Sequence, residues 1–208
     1  QNKHSIVFHL GMSGRLRLYK KKEFKNNKHD HFLIKMNNEK ILIFNDPRKF
    51  GFIDYDLYKI IDSRKYLTSL GIDALSTSLN GPYLFFKISK STVKIKQILL
   101  NQTIVSGIGN IYASEILFNA KISPLKRGKD IQLYDCDKIC KSTKKILKKA
   151  INSGGSTLRN FVATDGTLGN FQSNFKVYNR EGKKVSGKIV KKIIQYGRST
   201  YFCPFIQK

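Results

Sequence analysis

The chain has 208 residues, 40% of them hydrophobic, which suffices for one or two domains with real cores and excludes a wholly disordered polymer. Thirty-nine Lys and Arg stand against 14 Asp and Glu, a formal charge of +25 spread from end to end. So strong a positive field favours a polyanionic partner, nucleic acid above all, although a ribosomal protein or a lysine-biased genome produces the same balance.

No apolar run approaches the roughly 20 residues that span a bilayer, and the start, QNKHSIVFHL, lacks the shape of a secretory signal. Cys136, Cys140 and Cys203 are too few for a disulfide framework, so we expect a cytoplasmic protein with no membrane partner.

Residues 1–56 read as β structure. Short alternating runs such as RLRLY, with Leu16 and Leu18 opposite Arg15 and Arg17, then HFLIKM and ILIFND, are separated by turn formers. A polar connector over 57–70 leads to a helical region, 71–170. Near its end Ile139, Thr143, Ile146, Leu147, Ala150 and Ile151 fall on one helical face, and Lys141, Lys144, Lys145, Lys148 and Lys149 fill the rest. The last segment, 171–208, reads as a hairpin, with KIVKKIIQY and STYFCPF on either side of Gly197 and Arg198.

The stretch NQTIVSGIGNIYASEILF, residues 101–118, joins two helical runs. Ile95, Ile98 and Leu99 point inward from the first, Ala113, Ile116, Leu117 and Ala120 from the second, with Asn110 placed as N-cap. Gly107 and Gly109 can adopt positive φ and admit a close backbone approach, so the turn offers free N–H groups to an anion such as a phosphate. The same glycines also suit a tight αα turn with nothing bound.

These residues resemble the helix–two-turns–helix signature of the formamidopyrimidine-DNA glycosylases, bacterial enzymes that excise oxidised purines such as 8-oxoguanine. HLGMSGRL (9–16), KHDH (28–31), NDPRKFG (45–51), GGSTLRNF (154–161) and GRSTYFCP (197–204) resemble further blocks of that family in the family's order, so the resemblance covers nearly the whole chain. It implies an α+β fold: part of an N-terminal β-sandwich, a helix–two-turns–helix domain with a lesion-capping loop, and a C-terminal β-hairpin finger. It implies a monomeric base-excision-repair glycosylase and AP lyase acting on double-stranded DNA that contains oxidised bases or abasic sites. An endonuclease VIII-like enzyme for oxidised pyrimidines and a non-catalytic DNA-binding module are the rivals.

By this resemblance, Met12, Arg48 and Phe50 match the trio that enters the duplex when the lesion is flipped out. Met12 would fill the vacated stack, Phe50 would wedge beside the opposite base, and Arg48 would hydrogen-bond the orphaned cytosine. An apolar plug and a guanidinium replace part of the few kcal/mol of stacking and pairing that extrusion costs. Read singly, Met12 suits a core methionine beside a turn, and DPRKFG an ordinary hairpin with Pro47 and Gly51 as turn formers. His29, Lys96, Asn110 and Arg198 match phosphate-holding residues with Lys49 assisting, and Arg198 also matches the residue used in the last elimination step. Thr164, Asp165, Gly166 and Thr167 match the lesion-capping loop, with Thr167 where a lysine can stand.

Two departures matter. The family's finger usually carries two C-x2-C pairs, whereas here Ile206 stands at the partner's place to Cys203 and REGKKVSGKI holds neither cysteine of the first pair. Structural zinc takes four S or N donors, so we expect no metal and no cofactor, and a zincless finger held by Ile193, Tyr201 and Phe205 among others. The family's nucleophile is an amino-terminal proline followed by a glutamate, with a lysine further on. These precede HLGMSG by tens of residues in relatives, and here eight residues precede His9.

We therefore expect an N-terminally truncated chain that binds DNA without cutting it. Borohydride fixes only an imine, so it should trap no adduct between these 208 residues and abasic or 8-oxoguanine DNA; a trapped adduct would mean that another amine serves.

Overall fold

The computed structural model describes residues 3–156 and 169–208. The chain forms two compact units, residues 1–68 with 152–172, and residues 69–151 with 173–208.

In the first unit β1 (His4–His9) pairs antiparallel with β5 (Phe52–Leu57), and β2 (Arg15–Lys20), β3 (Asp30–Lys35) and β4 (Lys40–Asn45) form a sheet in the order β2-β4-β3. Being central, β4 loses water on both faces: Ile41, Ile43, Phe44, Asn45 and the following Asp46 are all buried. Phe8 lays its ring against Phe44 and Phe32, at 6.1 and 6.2 Å. The alternation of RLRLY is weaker in effect, since Leu18 remains 39% exposed.

The connector is short helix, α1 (Tyr58–Asp62) and α2 (Lys65–Thr68). It is tied back to β5 by Arg64, which pairs with Asp54 and Asp56, and by the Tyr66 hydroxyl donating to Asp54. Of the described residues, 152–156 and 169–172 group with this first unit, although pattern places 152–156 and 169–170 in the helical region; the Asn170 N–H donates to the Ser153 carbonyl and the Phe171 N–H to the Gly155 carbonyl.

The second unit holds β6 (Ile72–Asp73), α3 (Gly81–Ile88), α4 (Ile95–Leu99), β7 (Val105–Ser106), α5 (Asn110–Ala120) and α6 (Leu133–Asn152). Asn80 caps α3 by accepting from the Tyr83 N–H. Ile95, Ile98, Leu99, Ala113, Ile116, Leu117, Ala120, Ile139 and Leu147 enter one core, as their helical spacing predicts. Ile151 does not: at the last turn of α6 it is 61% exposed, because the apolar stripe outlasts the surface it covers.

The remaining strands, β8 (Lys184–Val185), β9 (Lys188–Ile189), β10 (Lys191–Gln195) and β11 (Arg198–Phe202), form two antiparallel hairpins of this same unit. Their core is Val177, Val185, Val190, Tyr201 and Cys203, with Ile206, Phe118 and Tyr178 against it. Tyr201 plays the expected part, but Phe205 is 68% exposed with the Lys188 ammonium 5.6 Å from its ring centroid, and Ile193 is only half-buried. The segment docks on α5 through Glu115, a fully buried carboxylate that accepts from the backbone N–H groups of Lys176, Val177 and Tyr178 at 2.8 to 3.1 Å. Gln207 completes the docking by accepting from the Cys203 N–H and donating to the Ile122 carbonyl.

Candidate nucleic-acid interface

In the first unit two loops lie side by side. Leu10–Gly14 closes tightly, with the Gly14 N–H on the Leu10 carbonyl and Gly11 at φ +59°. Asp46–Gly51 links β4 to β5, with Lys49 at φ +55°. Met12 is 70% exposed and Phe50 56%, and the Arg48 guanidinium stands 4.7 Å from the Phe50 ring centroid. The structure thus brings the three together as exposed side chains, against the alternative of a core methionine.

Asp46, visible in the sequence only as part of an Asn-Asp-Pro turn, organises both loops from beneath. Its carboxylate accepts from the Ser13 hydroxyl at 2.5 Å and from the N–H groups of Gly51 at 2.8 Å and Arg48 at 3.3 Å. The hydrogen bond from Ser13 lowers its pKa below the usual carboxylate value, against the opposing pull of burial. The Asp46 N–H donates to the His29 carbonyl and His31 Nε2 donates to the Asp46 carbonyl, so His31 is structural and His29 sits half-buried beside the turn.

In the second unit Lys96 lies on α4 and is 1% exposed. Its Nζ donates to Asn110 Oδ1 at 2.6 Å, Thr200 Oγ1 at 2.7 Å and the Ser199 carbonyl at 3.0 Å. These three bonds account for all three hydrogens of the ammonium, and every partner is neutral. Asn110 is not the N-cap of α5. Gly109 takes that position with extended backbone, and the Asn110 side chain turns instead to the hairpin, donating to the Ser199 carbonyl at 3.1 Å. Of the two glycines only Gly107 requires positive φ (+93°); Gln102 spans the turn, accepting from its N–H and donating to the Ile108 carbonyl. A Cβ at Gly109 would meet open space, so the start of α5 is accessible. Arg198 projects, exposed, from the adjoining tip of the hairpin.

Thr164, Asp165, Gly166 and Thr167 lie outside the described residues, as does Gln1. Burial raises the thiols of Cys136 and Cys140 to about 12 and about 11, so neither is a thiolate at neutral pH. No helix among the described residues is long and apolar enough to cross a membrane.

Residues 1–53 match the profile of the formamidopyrimidine-DNA glycosylase N-terminal domain, and residues 70–162 that of the formamidopyrimidine-DNA glycosylase H2TH domain. The chain is 40% identical over 205 residues to a formamidopyrimidine-DNA glycosylase of Wolbachia pipientis, covering 96% of this chain and 73% of the relative. It is likewise 40% identical to that of Zymomonas mobilis, covering 98% and 75%. Among solved structures it is similar to the Lactococcus lactis Fpg in complex with abasic-site DNA (34% identity, TM-score 0.88, 99% of this chain and 75% of that one). It also resembles Thermus thermophilus MutM (31% identity, TM-score 0.88, covering 99% and 76%).

The Lys96 site makes a pH-dependent contribution with a definite sign. Burial, and secondarily Arg198, lowers the Lys96 pKa from 10.5 to about 8. Below about 8 the ammonium is charged in folded and unfolded chain alike, and its full desolvation cost weighs on the fold. Between about 8 and 10.5 the unfolded chain binds the extra proton, so that cost shrinks as pH rises. The wild-type minus Lys96→Met stability difference, from urea melts, should therefore be flat below about pH 7 and shift toward the wild type above about pH 8. A difference flat across the whole range would mean that the three hydrogen bonds offset the burial.

Proposed function

Since this chain belongs to the formamidopyrimidine-DNA glycosylase family, we propose that it recognises oxidised purines in duplex DNA by base flipping, within the family's glycosylase and AP-lyase chemistry. The observation that carries this reading is the pair of large apolar side chains, Met12 and Phe50, held in solvent on two loops fixed by one buried carboxylate. Exposed apolar groups at a fixed separation suit an aqueous void that opens only when a base leaves the stack. Arg48, beside Phe50, is the donor for the base left without a partner.

The second unit supplies the grip. Arg198, exposed at the hairpin tip, takes a backbone phosphate through its forked donors, and the accessible start of α5 at Asn110 offers N–H groups to another. His29 and Lys49 add contacts from the first unit. Arg198 also serves the last elimination step in this reading, the capping loop at 164–167 covers the flipped base, and the protein works as a monomer on DNA in the cytoplasm. Support for DNA as partner comes from the relatives solved with abasic-site DNA and with Fapy-dG DNA.

Two variants separate the roles. Met12→Ala should lower affinity for a duplex with an abasic analogue about tenfold and leave intact duplex nearly unchanged, whereas Arg198→Ala should weaken both and reduce the salt slope by about 1. Equal losses on damaged and intact duplex for Met12→Ala would remove the void-filling reading.

The hairpin segment is proposed to need no metal, because Cys203 is fully buried in an apolar cluster with Val185, Val190 and Ile206. Elemental analysis should find no zinc in stoichiometric amount after dialysis, and chelator should leave the melting temperature unchanged.

A further inference from the structure

We infer that Asp46 and Ser13 are positioning residues for recognition: together they lock the loops Leu10–Gly14 and Asp46–Gly51 into one piece, so that Met12, Arg48 and Phe50 stand preset before DNA arrives. This inference rests on the proposed entry of those three side chains into the duplex.

The argument starts from burial. Asp46 is 1% exposed and Ser13 5%, so neither reaches a ligand, yet both lie directly beneath the exposed trio. The Ser13 hydroxyl donates across the gap to Asp46 Oδ1, and the Arg48 N–H points between the two acceptors, 3.3 Å from Ser13 Oγ and 3.3 Å from Asp46 Oδ1. The other carboxylate oxygen holds the Gly51 N–H. Ser13 of the first loop is thereby bonded to Asp46 and Arg48 at the start of the second loop, and Asp46 in turn bonds that start to Gly51 at its end.

The backbones touch as well. A Cβ at Gly11 would stand 2.8 Å from the Phe50 carbonyl carbon, and one at Gly51 would stand 2.6 Å from the His9 carbonyl oxygen. Loops in such contact move together or not at all. His31 and His29, bonded to the Asp46 backbone from β3 and its approach, fix the pair to the sheet. Without the clip, Met12 and Phe50 would sit on two short turns whose relative position must be ordered at each binding event, which costs affinity only where the trio is used. Replacing Ser13 by Ala removes the donor that bridges the loops. Replacing Asp46 by Asn keeps the size but sets an NH2 group against N–H or O–H donors.

The test measures affinity for two duplexes, one with a tetrahydrofuran abasic analogue opposite cytosine and one intact, using the 208-residue chain and its S13A, D46N and M12A variants. S13A and D46N should each lower the abasic-to-intact affinity ratio about fivefold, with intact-duplex affinity within about twofold of wild type, and S13A/D46N should fall no further than D46N. S13A decides alone where D46N does not fold. A ratio unchanged in S13A while M12A lowers it, or equal losses on both duplexes, overturns the inference and leaves the trio's role standing. A ratio unchanged in M12A removes the trio's role itself, and the positioning role with it.

Discussion

A charge removed from water must be solvated by the protein, and three such charges organise this fold. Glu115, Lys96 and Asp46 are each at most 2% exposed, and none forms an ion pair among the described residues. Glu115 is solvated by three consecutive backbone N–H groups, Lys96 by an amide, a hydroxyl and a carbonyl, Asp46 by a hydroxyl and turn N–H groups. Each shell includes at least one group distant in sequence, so satisfying the charge forces a loop into one position. An apolar residue of equal volume would be cheaper to bury but would leave those loops free to slide. Removing one neutral partner from such a shell costs about 1–3 kcal/mol, whereas an exposed pair such as Lys21–Glu39 contributes under about 1 kcal/mol.

The consequence is a division of labour between what is buried and what is exposed. Lys96 fastens α4 to Asn110 at the start of α5 and to Ser199 and Thr200 on β11, and Arg198 is the next residue along that strand. The exposed guanidinium therefore starts from a backbone held on both neighbouring elements, which would lower the entropy lost in the proposed contact with a phosphate. Asp46 does the same for exposed apolar groups.

The helices were legible in the sequence because their apolar spacing reports burial directly: Ile95, Ile98, Leu99, Ala113, Ile116, Leu117 and Ala120 all enter the core. Ends and edges were not. The residue type of Asn110 suits an N-cap, but the pull of a buried ammonium on its side-chain oxygen outweighs a cap bond, and Gly109 precedes it without a side chain. Ile151 and Phe205 carry apolar side chains past the end of the surface that could cover them, which periodicity does not register. Nothing local signals that the backbone of residues 176–178 will converge on Glu115, or that Ser13 will reach Asp46 from another loop. Exposure of Met12 and Phe50 likewise depends on two loops meeting, and only the family resemblance of their motifs pointed to it.

If the hairpin segment needs no metal, as proposed, other ties must hold so small an element in place. A tetrahedral zinc would tie four loop positions at once, and replacing it requires several weaker ties that act together. Val177, Val190 and Cys203, at most 1% exposed, and the largely buried Val185 supply an apolar centre, each side chain contributing on the order of 1–3 kcal/mol on burial. That alone is non-directional. Direction comes from Gln207, which bonds the Cys203 N–H and the Ile122 carbonyl, and from Glu115 gripping residues 176–178. The segment is thus fixed to the helical core at its beginning, through Lys96 at β11, and at its end. A hairpin clamped at three places needs little internal stability of its own, and its tip carries Gly197 and the exposed Arg198.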